Sequence, residues 1–187
     1  MRLLRRFKRD QRGVSAVEFA FIAPVLIIIY FSVAELCQAM LAERKVAHVA
    51  SAIGDLTTQP CPNTNPNCPA AGTVTPAELT DLYSAATAIL APFSASSLQI
   101  TVSGVATDAN GNATVSWSNA QNTTKLATGA AVTLPANLLG PSQMVVMAQV
   151  VYTYDSPLNY WFKNAITFSP VFYLRPRATQ TITCPTC

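Results

Sequence analysis

Residues 13–34 read GVSAVEFAFIAPVLIIIYFSVA. It contains one ionisable residue, Glu18, followed by an unbroken apolar run from Phe19 to Phe31. Because about 20 apolar residues cross a bilayer as a helix, residues 14–34 are long enough to span one. The sequence therefore predicts a single membrane-spanning helix close to the N-terminus.

A basic leader precedes this segment. Residues 1–13 carry a net charge of +5, so the remainder of the 187-residue chain carries −2 within a total of +3. The basic residues of the leader are Arg2, Arg5, Arg6, Lys8, Arg9 and Arg12. Positive charge beside a membrane span predicts a cytoplasmic N-terminus and a translocated C-terminal body. Since no basic patch remains outside the leader, general nucleic-acid binding is disfavoured.

Two other uses of such a segment fit less well. The apolar run is longer than the core of a cleaved signal peptide, and no small-x-small cleavage site follows before Glu35. A lipoprotein site at Cys37 would require small residues before the cysteine, where Glu35 and Leu36 stand. The pattern favours an anchor that is uncleaved or cleaved on the cytoplasmic side.

Glu18 and Pro24 are the two unusual residues of the span. A carboxylate at mid-membrane costs roughly 2.5–3.5 kcal/mol, so Glu18 requires compensation unless it lies near the interface. In an uncleaved chain Arg12 or the positive end of the helix dipole could supply it. Pro24 is expected to kink the helix or leave a carbonyl unbonded, which a membrane helix tolerates when neighbouring helices cover the defect.

A family resemblance begins at the end of the leader and runs from Arg12 to Pro24. These residues, which include Gly13, Glu18 and Phe19, resemble the opening of TadE-like pseudopilins of Tad pilus systems, which share the type IV prepilin cleavage pattern. The resemblance implies that a prepilin peptidase cuts between Gly13 and Val14, making Glu18 the fifth mature residue. Residues 152–158 and 166–177 are similar to the same family more loosely.

The family resemblance also implies a function and partners. The implied function is that of a minor pilin in Tad (Flp) pilus assembly, without enzymatic activity or cofactor. The implied partners are the prepilin peptidase, the major Flp-type pilin, a second pseudopilin, the inner-membrane pilus platform and the lipid bilayer. The C-terminal domain is expected in the periplasm. The adhesion-type domain of longer family members is not matched, which weakens any expectation of receptor binding.

Cleavage after Gly13 would create a new ammonium group at Val14. Glu18 lies four residues further on, and residues at this spacing share a helix face. The Glu18 carboxylate could then pair with the ammonium of a neighbouring subunit and set the axial register, since a buried ion pair fixes geometry better than it adds stability. Loss of the basic leader would also weaken attachment to the cytoplasmic leaflet.

Beyond residue 34 the apolar periodicity continues, which predicts one helix from about Val14 to Leu56. Its inward face is expected to consist of Leu36, Met40, Ala47, Ala50 and Ile53, with Glu43, Arg44 and Lys45 on a polar face. Thr75, Pro76 and Glu78 form a helix-start signature that predicts a second helix to about Leu90. Its expected inward residues are Leu79, Leu82, Ala86 and Ile89.

Strand signals dominate the remainder. Residues 98–107 and 113–118 flank Asp108–Asn112, whose Asn-Gly pair predicts a hairpin turn. Residues 144–154 form the strongest strand pattern, and residues 177–183 a plausible last one. The expected fold is α+β and pilin-like, with the long helix packed on about four antiparallel strands. The expected segments are a leader at 1–13, a transmembrane helix at 14–34, its periplasmic continuation at 35–58 and an ectodomain at 59–187.

The five cysteines favour structural disulfides. Cys61, Cys68, Cys184 and Cys187 allow three pairings, among which local closure of each pair is weakly preferred. A zinc site formed by these four is possible by residue type, but the first pair is spaced too widely for the usual knuckle. Cys184 and Cys187 have the redox spacing Cys-x-x-Cys, yet they end the given chain where no helix follows. Cys37 is expected to act as a small apolar residue.

Nothing in the sequence predicts catalysis, because it has a single histidine, His48, and no plausible triad. The alternative to the pseudopilin hypothesis is a permanently anchored single-pass periplasmic binding or thiol-redox module that keeps Met1. Tyr160, Trp161 and Phe162 form an aromatic cluster that is either core, subunit interface or ligand anchor, and core or interface packing is favoured. The sequence does not determine a position within a filament.

Overall fold

The computed structural model describes residues 13–59, 72–156, 165–177 and 179–187. Its architecture is α+β, with a long N-terminal helix packed on a five-stranded antiparallel sheet. The helices are α1 (Val14–Thr58) and α2 (Pro76–Leu90). The strands are β1 (Leu98–Thr107), β2 (Ala113–Gln121), β3 (Met144–Tyr154), β4 (Ile166–Phe168) and β5 (Val171–Leu174). The pilin-like arrangement expected from the sequence is confirmed.

The sheet has the strand order β2-β1-β3-β4, and β5 also pairs with β3. β4 and β5 follow one another along the same edge of β3, where Phe168 lies opposite Tyr152 and Val171 opposite Gln149. Between them the Val150 amide donates to the Pro170 carbonyl at 3.1 Å. The two short strands are thus one edge strand interrupted at Ser169–Pro170, a position where proline is tolerated because its missing N–H does not break an interior ladder.

The described residues of segment 177–183 form no strand, so the expectation of a last strand there is wrong. The sheet edge beside β3 is already occupied by β4 and β5, and the Thr179 hydroxyl donates to the Thr181 carbonyl at 2.9 Å, which turns the chain. The segment instead makes a single bridge in which Thr183 pairs with Thr73. Strand β2 continues to Gln121, three residues beyond the expected end.

Helix α1 is continuous over 45 residues, about 67 Å at 1.5 Å per residue, and it continues through Pro24. Its upper half crosses the sheet. The residues that it buries are Glu35, Ala39, Ala42, Val46, Val49, Ala50, Ile53, Gly54, Thr57 and Thr58. Helix α2 packs beside it, and the Lys45 ammonium joins the two by donating to the carbonyls of Ile89 at 3.1 Å and Ala91 at 2.5 Å.

The lower part of the expected inward face of α1 is wrong by one residue. Leu36 and Met40 are exposed, by 53% and 48%, whereas Glu35 and Ala39 are buried. The helix has two apolar faces here, one of small residues that lets the sheet approach and one of large residues that continues the outer surface of the span. Periodicity alone assigned the larger side chains to the core. At the upper end Ala50 and Ile53 are buried as expected.

Helix α2 begins with a reciprocal capping box. The Glu78 amide donates to the Thr75 hydroxyl at 3.3 Å, and the Thr75 amide donates to the Glu78 carboxylate at 2.8 Å. Leu79 and Ala86 are buried as expected, while Leu82 and Ile89 are only partly buried. The fully inward positions also include Tyr83 and Leu90. Tyr83 reaches Asn119 of β2 with its hydroxyl, 3.0 Å from Oδ1.

The turn between β1 and β2 is the expected Asn-Gly hairpin. Gly111 has φ +85°, a conformation that L side chains rarely adopt. The Asp108 carboxylate accepts the amides of Asn110 and Asn112, each at 2.8 Å, and the side chain of Asn112 at 2.9 Å. These bonds, led by the Asn112 side chain, hold the pKa of Asp108 below its ordinary value.

Candidate functional site: the anchor helix and its foot

The predicted processing position lies at the beginning of α1. Val14 is the first residue of the helix, and Gly13 occupies its N-cap position with no side-chain cap. Gly13 is exposed, with no heavy atom within 4 Å of the position a Cβ would take. The peptide bond between them is therefore open on the side away from the folded domain. This geometry is compatible with access by a peptidase.

Glu18 lies one helical turn above Val14, about 6 Å along the axis. Its side chain is exposed, and no hydrogen bond or ion pair of its carboxylate is found among the residues that the structure describes. Val14 is 52% exposed. The Glu18 carboxylate and residue Val14 are thus both accessible to a neighbouring molecule on the surface of the helix.

The lower half of α1 has the length and composition of a membrane span and makes no contact that buries it. Its large apolar side chains face outward along its whole length. Those more than half exposed include Val17, Phe19, Phe21, Ile22, Val25, Leu26, Ile27, Ile29, Tyr30 and Val33. A surface of this kind is expected either in lipid or against other helices. The helix is consistent with a single-pass membrane anchor.

A buried polar corner lies where α1 first contacts the domain. Glu35 is 4% exposed, and its Oε1 accepts a hydrogen bond from the Ser156 hydroxyl. Its second carboxylate oxygen, Oε2, and the hydroxyl of Tyr154 are buried, and neither has a hydrogen-bond partner among the residues that the structure describes. Burial raises the pKa of Tyr154, and the Glu35 carboxylate raises it further. We refer to Glu35, Tyr154 and Ser156 as the foot cluster.

The foot cluster was not predicted from the sequence. A signal was present, because Glu35 precedes Ala39, Ala42, Val46 and Val49 at steps of four, three, four and three residues. These steps place Glu35 on the buried face of the helix. The signal was obscured because Leu36 and Met40 form a competing periodic stripe one residue away. The contribution of Tyr154 and Ser156 depends on tertiary packing, which no local pattern reveals.

The cysteines are placed only in part. Cys184 and Cys187 lie at disulfide distance, with Cα atoms 5.4 Å apart, and close the turn at residues 184–187. Cys37 is free and exposed on α1. Cys61 and Cys68 lie outside the described residues, as do Tyr160, Trp161 and Phe162. The disulfide pairing as a whole and the role of the aromatic cluster therefore stay predictions.

Backbone carbonyls of residues 182–187 accept hydrogen bonds that hold the end of the described chain. The indole nitrogen of Trp117 donates to the Ile182 carbonyl at 2.7 Å, and Val74 donates to the Thr183 carbonyl at 2.9 Å. Lys125 contacts the Cys187 carbonyl oxygen with its ammonium group.

Among the described residues there is no group of three or more His, Cys, Asp or Glu side chains that could hold a metal ion.

Residues 13–54 match the family described as TadE-like protein. The matched residues begin at Gly13 and cover α1 nearly to its end. No curated protein and no solved structure matches the chain. The TadE-like family is associated with the Tad pilus and is not known for enzymes.

Proposed function

We propose that this chain is a minor pilin-like subunit that a prepilin peptidase processes between Gly13 and Val14 for assembly of a Tad pilus. The observation that carries the proposal is the TadE-like match, which begins at Gly13 and covers α1 nearly to its end. The exposed Gly13–Val14 bond at the start of the helix supports it. Residues 1–13 are then the leader and residues 14–34 the membrane span.

In this proposal the remaining segments lie beyond the inner membrane. Residues 35–58 continue the helix in the periplasm, and residues 59–187 form the ectodomain. The burial of α1 supports this division, because contact with the sheet begins at Glu35, the residue that follows the span. The basic leader places the N-terminus in the cytoplasm by the positive-inside rule.

Processing gives Glu18 its role. The new ammonium at Val14 and the carboxylate at Glu18 lie one turn apart on a helix surface that the domain leaves open. In lipid a lone carboxylate is costly, whereas in an assembly it can pair with the Val14 ammonium of a neighbour. The pairing favours one axial offset between subunits. The partners in this step are the major Flp-type pilin, a second pseudopilin and the inner-membrane platform.

A pilus count on cells tests the proposal. A strain that lacks this chain is complemented with the wild type, with Glu18→Gln, or with Glu43→Gln, which neutralises an exposed carboxylate higher on the same helix. We expect wild type and Glu43→Gln to restore pili and Glu18→Gln to fail, with all three proteins present in the membrane. Normal piliation in the strain lacking the chain would refute an assembly role. Normal piliation with Glu18→Gln would refute the role of Glu18.

A further inference from the structure

A cavity of about 570 Å³ lies where β3 begins and β5 has ended. One wall is the turn at residues 141–143, which leads into β3, and the other consists of the described residues 175–177, 179 and 180. Ligand-binding cavities commonly have volumes of about 300–1,000 Å³. The cavity is therefore large enough for an organic molecule.

The lining of this cavity is positively charged. Arg175 and Arg177 are the only arginines that follow α1 in the sequence, and both line the cavity and are exposed. No aspartate or glutamate is found among the described residues that line it. Arg177 is paired with Asp55 of α1, whereas Arg175 donates one hydrogen bond, at 2.7 Å, to the Leu138 carbonyl. Within the described part of the chain, the Arg175 guanidinium therefore has no carboxylate partner, and its other N–H groups stay available to a ligand.

Both walls are held in place without a ligand. The Thr107 amide donates to the Gln143 carbonyl at 2.9 Å, and the Gln143 amide donates to the Thr107 hydroxyl at 3.0 Å. The Ser142 amide donates to the Asp108 carbonyl at 3.2 Å. The opposite wall is fastened by the contacts of its two arginines. A site that is already formed loses less conformational entropy when a ligand binds.

The uncharged part of the lining favours a ligand that carries hydroxyl groups. Four lining residues supply hydroxyl and amide groups that can donate and accept hydrogen bonds, namely Ser142, Gln143, Thr179 and Gln180. The Gln143 Oε1 accepts from the Gly140 amide at 3.1 Å, so its NH₂ group can donate to a ligand. The one large apolar side chain among the described lining residues, Met144, is 5% exposed. The walls thus offer no apolar pocket to an acyl chain or to an apolar peptide side chain.

The position of the cavity separates it from the apolar half of α1. Arg177 contacts Asp55, which lies 21 residues beyond residue 34, about 31 Å along the helix axis. A lipid headgroup beside the exposed apolar half of α1 is therefore too distant to be the anion that this cavity receives.

We propose that this cavity binds an acidic saccharide, whose carboxylate accepts hydrogen bonds from the Arg175 guanidinium and whose hydroxyl groups pair with Gln143 and Gln180. Guanidinium and carboxylate groups match in geometry and form strong, charge-assisted hydrogen bonds. Arg177 adds positive potential along the same wall. An acidic peptide is the competing occupant, and it is disfavoured because tight peptide binding depends on buried aromatic and apolar anchors. The proposal is independent of processing at Gly13 and of the position of the span.

The test is isothermal titration calorimetry on the full chain purified in detergent, with trigalacturonate, neutral galactotriose and a tetraglutamate peptide as ligands. We expect trigalacturonate to bind with a Kd below about 1 mM, and the other two ligands to bind at least about tenfold more weakly. Arg175→Gln should weaken trigalacturonate binding by about tenfold or more, because it removes the charged donor. Gln180→Ala should weaken it severalfold. Lys125→Gln removes one exposed positive charge that does not line the cavity, and it should keep the affinity within about twofold.

Equal affinity for trigalacturonate and galactotriose would overturn the proposal, because the carboxylate would then contribute nothing. Tetraglutamate binding as tight as that of trigalacturonate would overturn it in favour of an acidic peptide. Absence of binding by the wild type, or unchanged affinity in Arg175→Gln, would overturn it as well. Circular dichroism establishes that each variant is folded. If Arg175→Gln is not, Gln180→Ala decides, because Gln180 is exposed and its side chain makes no hydrogen bond to the described residues.

Discussion

Gly104, in the middle of β1, allows the sheet to pack tightly against Trp117. The two residues are paired across β1 and β2, and a Cβ at position 104 would lie 2.2 Å from the Trp117 indole nitrogen and 2.4 Å from the Met144 methyl group. Gly104→Ala must therefore displace the indole. Overpacking costs about 1–3 kcal/mol, and loss of the indole hydrogen bond to the Ile182 carbonyl adds about 1 kcal/mol.

The expected total is about 2–4 kcal/mol, which corresponds to a fall of roughly 4–16 °C in melting temperature for a domain of this size. Near-UV circular dichroism of the full chain in detergent measures it. Gly140→Ala is the matched control, because its added Cβ would meet nothing closer than 3.5 Å, so we expect a shift of less than about 2 °C. If the melting temperature of Gly104→Ala fell by no more than that of the Gly140→Ala control, the described packing of Trp117 against β1 would be wrong.

Three further predictions concern the helix contacts, the C-terminal turn and the hairpin. Lys45→Met should lower the free energy of unfolding by about 1 kcal/mol, because it removes the charged cap on the last carbonyls of α2. Urea unfolding measures this, and an equal loss in Arg44→Met, at an exposed site, would contradict the capping role. The double variant Cys184→Ser, Cys187→Ser should lose about 2 kcal/mol of unfolding free energy by the loop-closure estimate for four residues. Thermal unfolding measures the loss, and no change would mean that the turn is held by other contacts. Because the pKa of Asp108 is lower in the folded chain, its contribution to stability is complete above the pKa of the unfolded state and is lost as pH falls through the folded pKa. The protection of the Asn112 amide against hydrogen exchange, taken relative to the intrinsic rate at each pH, should therefore fall at acidic pH in the wild type. An equal fall in Asp108→Ala would contradict this source.

The elements with strong local signals could be predicted from the sequence. The bounds of β1 and β3 agree with their runs of β-branched residues, and α2 begins at the predicted Thr75–Glu78 box because the capping bonds lie within four residues. The hairpin at Asp108–Asn112 follows from the same kind of local chemistry. These elements are determined by groups that are close together in the chain.

The elements that depend on distant partners could not be predicted. The pairing of β4 and β5 with β3 is set by tertiary contact, and so is the bridge of Thr183 to Thr73 that replaces a last strand. The face of α1 was misassigned at Leu36 because a helix with two apolar faces gives two periodic stripes. Glu35 was missed because the stripe of larger side chains hid the one to which it belongs. Its contacts with Tyr154 and Ser156 depend on tertiary packing.

The N-terminal residue of the mature chain tests the account most directly. Intact mass and N-terminal sequence are measured for the full chain made with and without a prepilin peptidase, and for a Gly13→Val variant made with it. We expect the wild type to begin at Val14 only when the peptidase is present, and the variant to retain the leader. Retention of Met1 and the arginines by the wild type beside an active peptidase would contradict the account and support a permanently anchored protein.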